Sequence, residues 1–148
     1  MMFKQLPSNS KVWVYQSNRM LTDVEMSFIL KELKLFIQDW AAHGSQLFGD
    51  VAIIHSRFVI LAVDESKTGV SGCSIDTSVH KIKELGTKID VDFFNRMELY
   101  IKKGEEFNKV HVSEVKKYTD WNVFNPMVTT LDALRNFWEI PVAKSPFA

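Results

Sequence analysis

The chain is poor in the residues that announce a specialised chemistry. It holds one cysteine in 148 residues, so an intramolecular disulfide and a cysteine-rich zinc site are both excluded. Neither sign of charge is in excess, because eighteen Lys and Arg balance eighteen Asp and Glu. No overall basic field therefore exists to release counterions from nucleic acid or to hold an anionic membrane, and nucleic acid is not an expected partner. Long apolar runs are missing as well: the longest extends from Phe58 to Val63, far short of a membrane span. The start, MMFKQLPSNS, lacks the charged and then apolar pattern of a secretory leader. There is no internal repeat, low-complexity segment or Pro-rich linker. These absences point to a soluble, reduced, cytoplasmic protein without membrane insertion.

What is present suits a folded domain. Hydrophobic residues make up 46% and charged residues 24%, a balance that disordered chains do not show, and the length fits one domain over 1–148. KVWVYQ over 11–16 alternates Val12 and Val14 with Trp13 and Tyr15 and reads as a strand with bulk on both faces. Thr22 with Glu25 forms a capping box, Leu21 and Met26 a hydrophobic staple, and Ile29, Leu33, Phe36 and Trp40 then mark one face of a helix to about residue 42. VAIIHS and FVILAV are two apolar β runs that form a hairpin, although no Asn-Gly or Asp-Gly marks its turn. A second helix is signalled by Ser74 as N-cap and by Ile75, Val79, Ile82 and Leu85 before Gly86. Met97, Leu99 and Ile101 alternate with polar neighbours as a fourth strand.

This order predicts an α+β fold, a ferredoxin-like βαββαβ antiparallel sheet with helices on one face and a core over about 11–103. A C-terminal helical addition over about 111–140 is expected from two further segments, Ser113 to Trp121 and Thr130 to Glu139, the second stopped by Pro141.

The stretch from Asp64 to Asp76 holds the candidate chemistry. Gly69 and Gly72 let backbone N–H groups approach a ligand, the following helix start adds unpaired donors, and Lys67 supplies charge, with Arg57 expected nearby. Lys67, Gly69, Ser71, Gly72, Cys73 and Ser74 thus form a candidate site for an anion or phosphate compound. The same glycines also suffice to make a turn, and Ser74 to cap a helix. Cys73 is a weak candidate nucleophile, since a helix start lowers a thiol pKa; a small buried residue is the other reading. His43, His55, His80 and His111 lack zinc-site spacing, and no metal site is supported by them. Asp64, Glu65 and Asp76 are weak candidates for a hard cation sharing a phosphate ligand, or else a solvated strand edge. No motif names a cofactor.

With VWVYQSNRMLTDVE, DWAAHG, RFVILAVDE and GVSGCSIDTSVHKI, the chain resembles a group of small uncharacterised bacterial proteins, some labelled ABC transporter ATPase. GCSIDTSV is the most specific piece. The resemblance implies no established activity and no catalytic residue. Val59 to Glu65 has the form of a Walker B strand, and Val70 to Ser74 resembles an ABC signature loop. ATP hydrolysis by a P-loop enzyme also needs G-x-x-x-x-G-K-[ST], and no glycine here is followed by Lys-Ser or Lys-Thr. ATPase activity is therefore not expected. The expected function is a small binding module with an anion site over 69–76. The alternative is a homo-oligomeric or protein-interaction module that uses Trp121, Phe124, Phe137, Trp138 and Phe147, rings that could equally cover the sheet.

Overall fold

A computed structural model describes residues 3–42, 48–64 and 72–148, with side chains for all of these except 40–42 and 72–75. Strand β1 (Lys11–Gln16) is the alternating Val and aromatic run. Helix α1 (Asp23–Ala42) begins as its sequence predicts. Thr22 Oγ1 accepts from the Glu25 amide at 3.2 Å, and the Glu25 carboxylate accepts from the Thr22 amide at 2.9 Å. Arg19 grips the same carboxylate through two guanidinium nitrogens, at 2.8 and 2.7 Å. The Arg19 bonds, and then the Thr22 amide, favour the ionised form and hold the Glu25 carboxyl at about 2. Leu21 and Met26 meet in one apolar cluster, completing the staple.

Strands β2 (Phe48–Ile54) and β3 (Phe58–Asp64) form the expected antiparallel hairpin, and β3 lies in the middle of the order β1-β3-β2. Side chains alternate along a strand, so Phe58, Ile60 and Ala62 face one way and Val59, Leu61 and Val63 the other. All six are buried, which is why β3 reads as an unbroken apolar run. Helices cover the odd face: Ile29 and Leu33 of α1, with Ile82 and Leu85 of α2 (Gly72–Ile89), pack on Val59 and Leu61.

Two details of α2 differ from expectation. Its start at Gly72 puts Ser74 inside the first turn instead of at the cap. Gly86 does not end it either; a Cβ there would stand 2.6 Å from the Val91 carbonyl oxygen, so this glycine serves close chain approach. The helix ends at Asp90, φ +57°, where the Val91 amide bonds the Gly86 carbonyl and the Asp90 amide the Thr87 carbonyl, a Schellman motif.

The fourth strand does not complete a single ferredoxin-like sheet. Strand β4 (Glu98–Lys103) pairs with β5 (Glu106–His111) and with β6 (Asn122–Phe124), and β6 pairs with β7 (Glu139–Pro141), so a second antiparallel sheet runs β5-β4-β6-β7. Alternation identified a strand at 98–103 without naming its neighbours. Tyr100 and Phe124 turn toward Phe58, so this second sheet covers the even face of β3. Leu99, Ile101, Val115, Val123 and Val142 fill its far side.

The C-terminal part is accordingly less helical than expected. Between Ser113 and Trp121 only a 3₁₀ turn, Val112–Lys117, forms. Helix α3 (Leu131–Phe137) is capped by Thr130, whose Oγ1 accepts from the Ala133 amide at 3.2 Å. It stops before Pro141 because the Trp138 carbonyl accepts from the Asn125 amide at 2.6 Å, drawing the chain into β7. The same region fastens the beginning of the chain. The Val12 amide donates to the Thr129 carbonyl, Leu131 to Ser10 and Asp132 to Ser8. Phe124 and Trp138 are buried, Trp121 and Phe147 half-buried, and Phe137 exposed, so most of the C-terminal rings cover the sheets. Among the described residues no helix is long and apolar enough to cross a membrane.

Candidate functional site

Three residues link the paired Ile54 and Phe58, and a type I′ turn over such a link needs positive φ at both central positions, which Asn-Gly supplies at little cost. Here His55 and Ser56 do so, at +56° and +55°. A left-handed conformation costs a non-glycine residue about 1–2 kcal/mol, so the turn depends on outside support. Every carbonyl from 54 to 57 is bonded, those of Ser56 and Arg57 from outside the turn and those of Ile54 and His55 by Arg57 itself. The Arg57 amide bonds the Ile54 carbonyl at 3.2 Å, Leu21 the Ser56 carbonyl at 2.8 Å and Ser17 the Arg57 carbonyl at 2.7 Å. Arg57 Nη1 donates to the His55 carbonyl at 2.9 Å.

The turn fixes two side chains against the second sheet. The His55 imidazole lies 5.2 Å from the Phe107 ring, 5.5 Å from Phe124 and 6.4 Å from Trp138. Burial lowers its pKa from 6.5, with Lys102 and Arg57 adding to the effect and Glu139 and Glu105 opposing it. The Arg57 guanidinium carbon sits 4.1 Å from the Phe107 ring centre and 5.5 Å from that of Tyr100. Burial in turn raises the Tyr100 phenol, against the pull of Arg57. Lys102 Nζ stands 5.8 Å from the Phe107 centre and 4.0 Å from Glu139.

Beside His55 lies a shallow, open cleft of about 720 Å³. Ser8, Arg135, Asn136 and Glu139 give it polar walls, and Leu134 and Trp138 an apolar one. These side chains are held in place. Arg135 Nη2 donates to the Phe3 carbonyl at 3.1 Å, Asn136 bonds Asp132, and Glu139 accepts from Asn122 at 3.1 Å. Among the described residues no Ser, Cys or carboxylate hydrogen-bonds the His55 ring, so the geometry offers binding groups and no assembled nucleophile with its base.

The residues singled out from sequence lie elsewhere. Gly72, Cys73 and Ser74 form the first turn of α2; Asp76 is exposed on that helix; Asp64 ends β3. Glu65, Lys67, Gly69 and Ser71 fall outside the described residues. Arg57 does not adjoin the described ends of that stretch, Asp64 and α2. It lies at the other end of β3, about 20 Å away for a strand of this length. Its neighbour Ser17 belongs with Arg19, which bonds the Ile89 carbonyl at the far end of α2. Among the described residues no group of three His, Cys, Asp or Glu is placed to hold a metal ion, and Glu65, the third of the carboxylates Asp64, Glu65 and Asp76, lies outside them. The cleft was missed because its residues are drawn from position 8, the 54–57 turn and 134–139. One signal was available: His is among the few residues that tolerate left-handed backbone, and it stands between two β runs that lack a glycine turn. No family model, curated protein or solved structure matches the chain.

Proposed function

We propose that the protein is a binding module for a small anionic compound, seated in the cleft beside the His55–Ser56 turn. The observation that carries this reading is the turn itself. Two consecutive strained residues, Ser56 held by the Leu21 amide and His55 by the Arg57 guanidinium, place an imidazole at the rim of a cleft that also contains Arg135 and Asn136. Strain of this kind is kept where surrounding structure enforces it, and it recurs at ligand clamps. No reaction is assigned, and ATP hydrolysis is set aside for want of a P-loop.

The test is thermal unfolding with nucleotides plus magnesium, phosphate, sulfate and small phosphorylated or carboxylated metabolites. A ligand at about 100 times its Kd adds about 2.7 kcal/mol, which shifts Tm by several degrees. His55→Asn, which tolerates the left-handed turn, is expected to lose that shift. The loop and helix start over 69–76 is the competing location, supported by α2 beginning at Gly72, so that the N–H groups of Cys73 and Ser74 fall in its first turn. A shift that survives His55→Asn and disappears in Ser74→Ala and Gly72→Val assigns the ligand there. The interaction-module alternative draws support from exposed Met127 and Phe137. Sedimentation as a monomer at high concentration would remove its homo-oligomeric form.

A further inference from the structure

We infer that the charged end of the ligand is an oxyanion, a carboxylate or a phosphate, that docks on Arg57 beside the Phe107 ring with Lys102 as the second cation. This rests on the binding reading above and adds the ligand's chemistry. Arg57 comes from the hairpin turn and Lys102 from β4, and only the packing of the two sheets brings them to one ring, at 4.1 and 5.8 Å from its centre. Arg57 is half-buried, yet among the described residues no carboxylate lies within ion-pair distance of it. A half-buried cation without a counter-charge is costly, and here its observed partners are a carbonyl and two rings. Lys102 has Glu139 at 4.0 Å, the outer limit of an ion pair. Arg57 thus stands without a paired carboxylate in a corner that also holds Glu139 and Glu105, whose charges act on His55 beside it.

The shape of the groups supports the same assignment. A guanidinium carries five N–H donors in a planar fork, matched to paired oxygens of a carboxylate or phosphate. The His55 carbonyl answers part of that fork, and the Tyr100 and Phe107 rings flank it. His55 borders both regions, because it lines the cleft and lies 5.2 Å from Phe107. Arg57 does not itself line the cleft, so an organic acid or organophosphate with its body there would reach past His55 to set its charge on Arg57.

Isothermal titration of the full chain with inorganic phosphate and with citrate, at constant ionic strength, tests this. Binding of phosphate alone marks a phosphorylated ligand, and of citrate alone a carboxylic acid. Arg57→Gln is expected to weaken the bound probe about tenfold or more, as loss of a charged hydrogen-bonding partner does. Arg57→Lys, which keeps the charge and loses the fork, should weaken it less, and Lys102→Gln should also weaken it. Lys34→Gln, exposed on α1, should change nothing. Should Arg57→Gln fail to fold, Arg57→Lys and Lys102→Gln still decide. Probe binding unchanged by Arg57 and Lys102 substitutions, or lowered equally by Lys34→Gln, overturns the oxyanion seat. Neither result touches the cleft reading, which falls only if the wild type binds no probe and no compound raises its Tm. If uncharged compounds bind through His55 while phosphate and citrate do not, the oxyanion seat and the anionic character of the ligand are both overturned, and only the place of binding stands.

Discussion

Ser56 gains nothing from its own side chain by standing at a φ of +55°, since the bond that anchors it runs from the Leu21 amide to its carbonyl. Ser56→Gly should keep that bond and relieve about 1 kcal/mol of strain, raising Tm by about 2–4 °C, whereas Ser56→Val should lower it; calorimetry reads both. His55 predicts a pH effect. Its folded pKa lies below 6.5, so the fold favours the neutral ring, and the unfolded chain takes up the proton first on acidification. The groups facing the ring are Lys102 and Glu139 from the second sheet, Glu105 beside it, and Arg57 of its own turn. Stability is thus full above about pH 6.5 and declines as the pH falls toward the folded value. Urea titrations should show this slope reduced in His55→Asn. Sequence could not single out His55 among four histidines, because its surroundings are Phe107, Phe124 and Trp138, all far along the chain.

At the level of elements, local chemistry was the legible part. The Thr22–Glu25 box marked the start of α1, since its partners lie within one turn, and the period of the apolar stripe behind it marked the buried face through Ile29 and Leu33. Thr22→Ala is expected to cost about 1 kcal/mol, as capping losses do. With Glu25 at about 2 when folded, its contribution should be complete above about pH 4.5 and be lost as the pH falls toward 2. The other end of a helix was harder to read. Gly86 looked like a stop, but its lack of a side chain serves the Val91 carbonyl, and Asp90 makes the left-handed cap. Gly86→Ala should therefore destabilise by about 1–3 kcal/mol despite alanine's better helix propensity, as a shift of the denaturation midpoint. Strands β6 and β7 went unread because three residues carry too little period to recognise, and their pairing is set by distant neighbours.

At the level of the molecule, β3 is the shared wall of two cores. One face packs on helices, the other on rings from the second sheet. Phe58 joins the sheets through Phe124 at 4.8 Å, Trp138 at 4.9 Å and Tyr100 at 5.6 Å. Phe58→Ala should cost about 3–5 kcal/mol, a large share of the net stability of a domain, and equilibrium urea unfolding would measure it. The fastening of residues 8–12 to 129–132 also has a consequence in time. On a chain made from its beginning, β1 through α2 are complete long before the residues that cover Val12, Phe58 and Ile60 exist. Contacts of such long sequence separation close slowly, so the nascent chain passes through an interval as a half-clad sheet. Its escape from sticking to neighbouring chains then depends on how fast the ribosome delivers Phe124 to Trp138, or on a chaperone surface that shelters the bare face until they arrive.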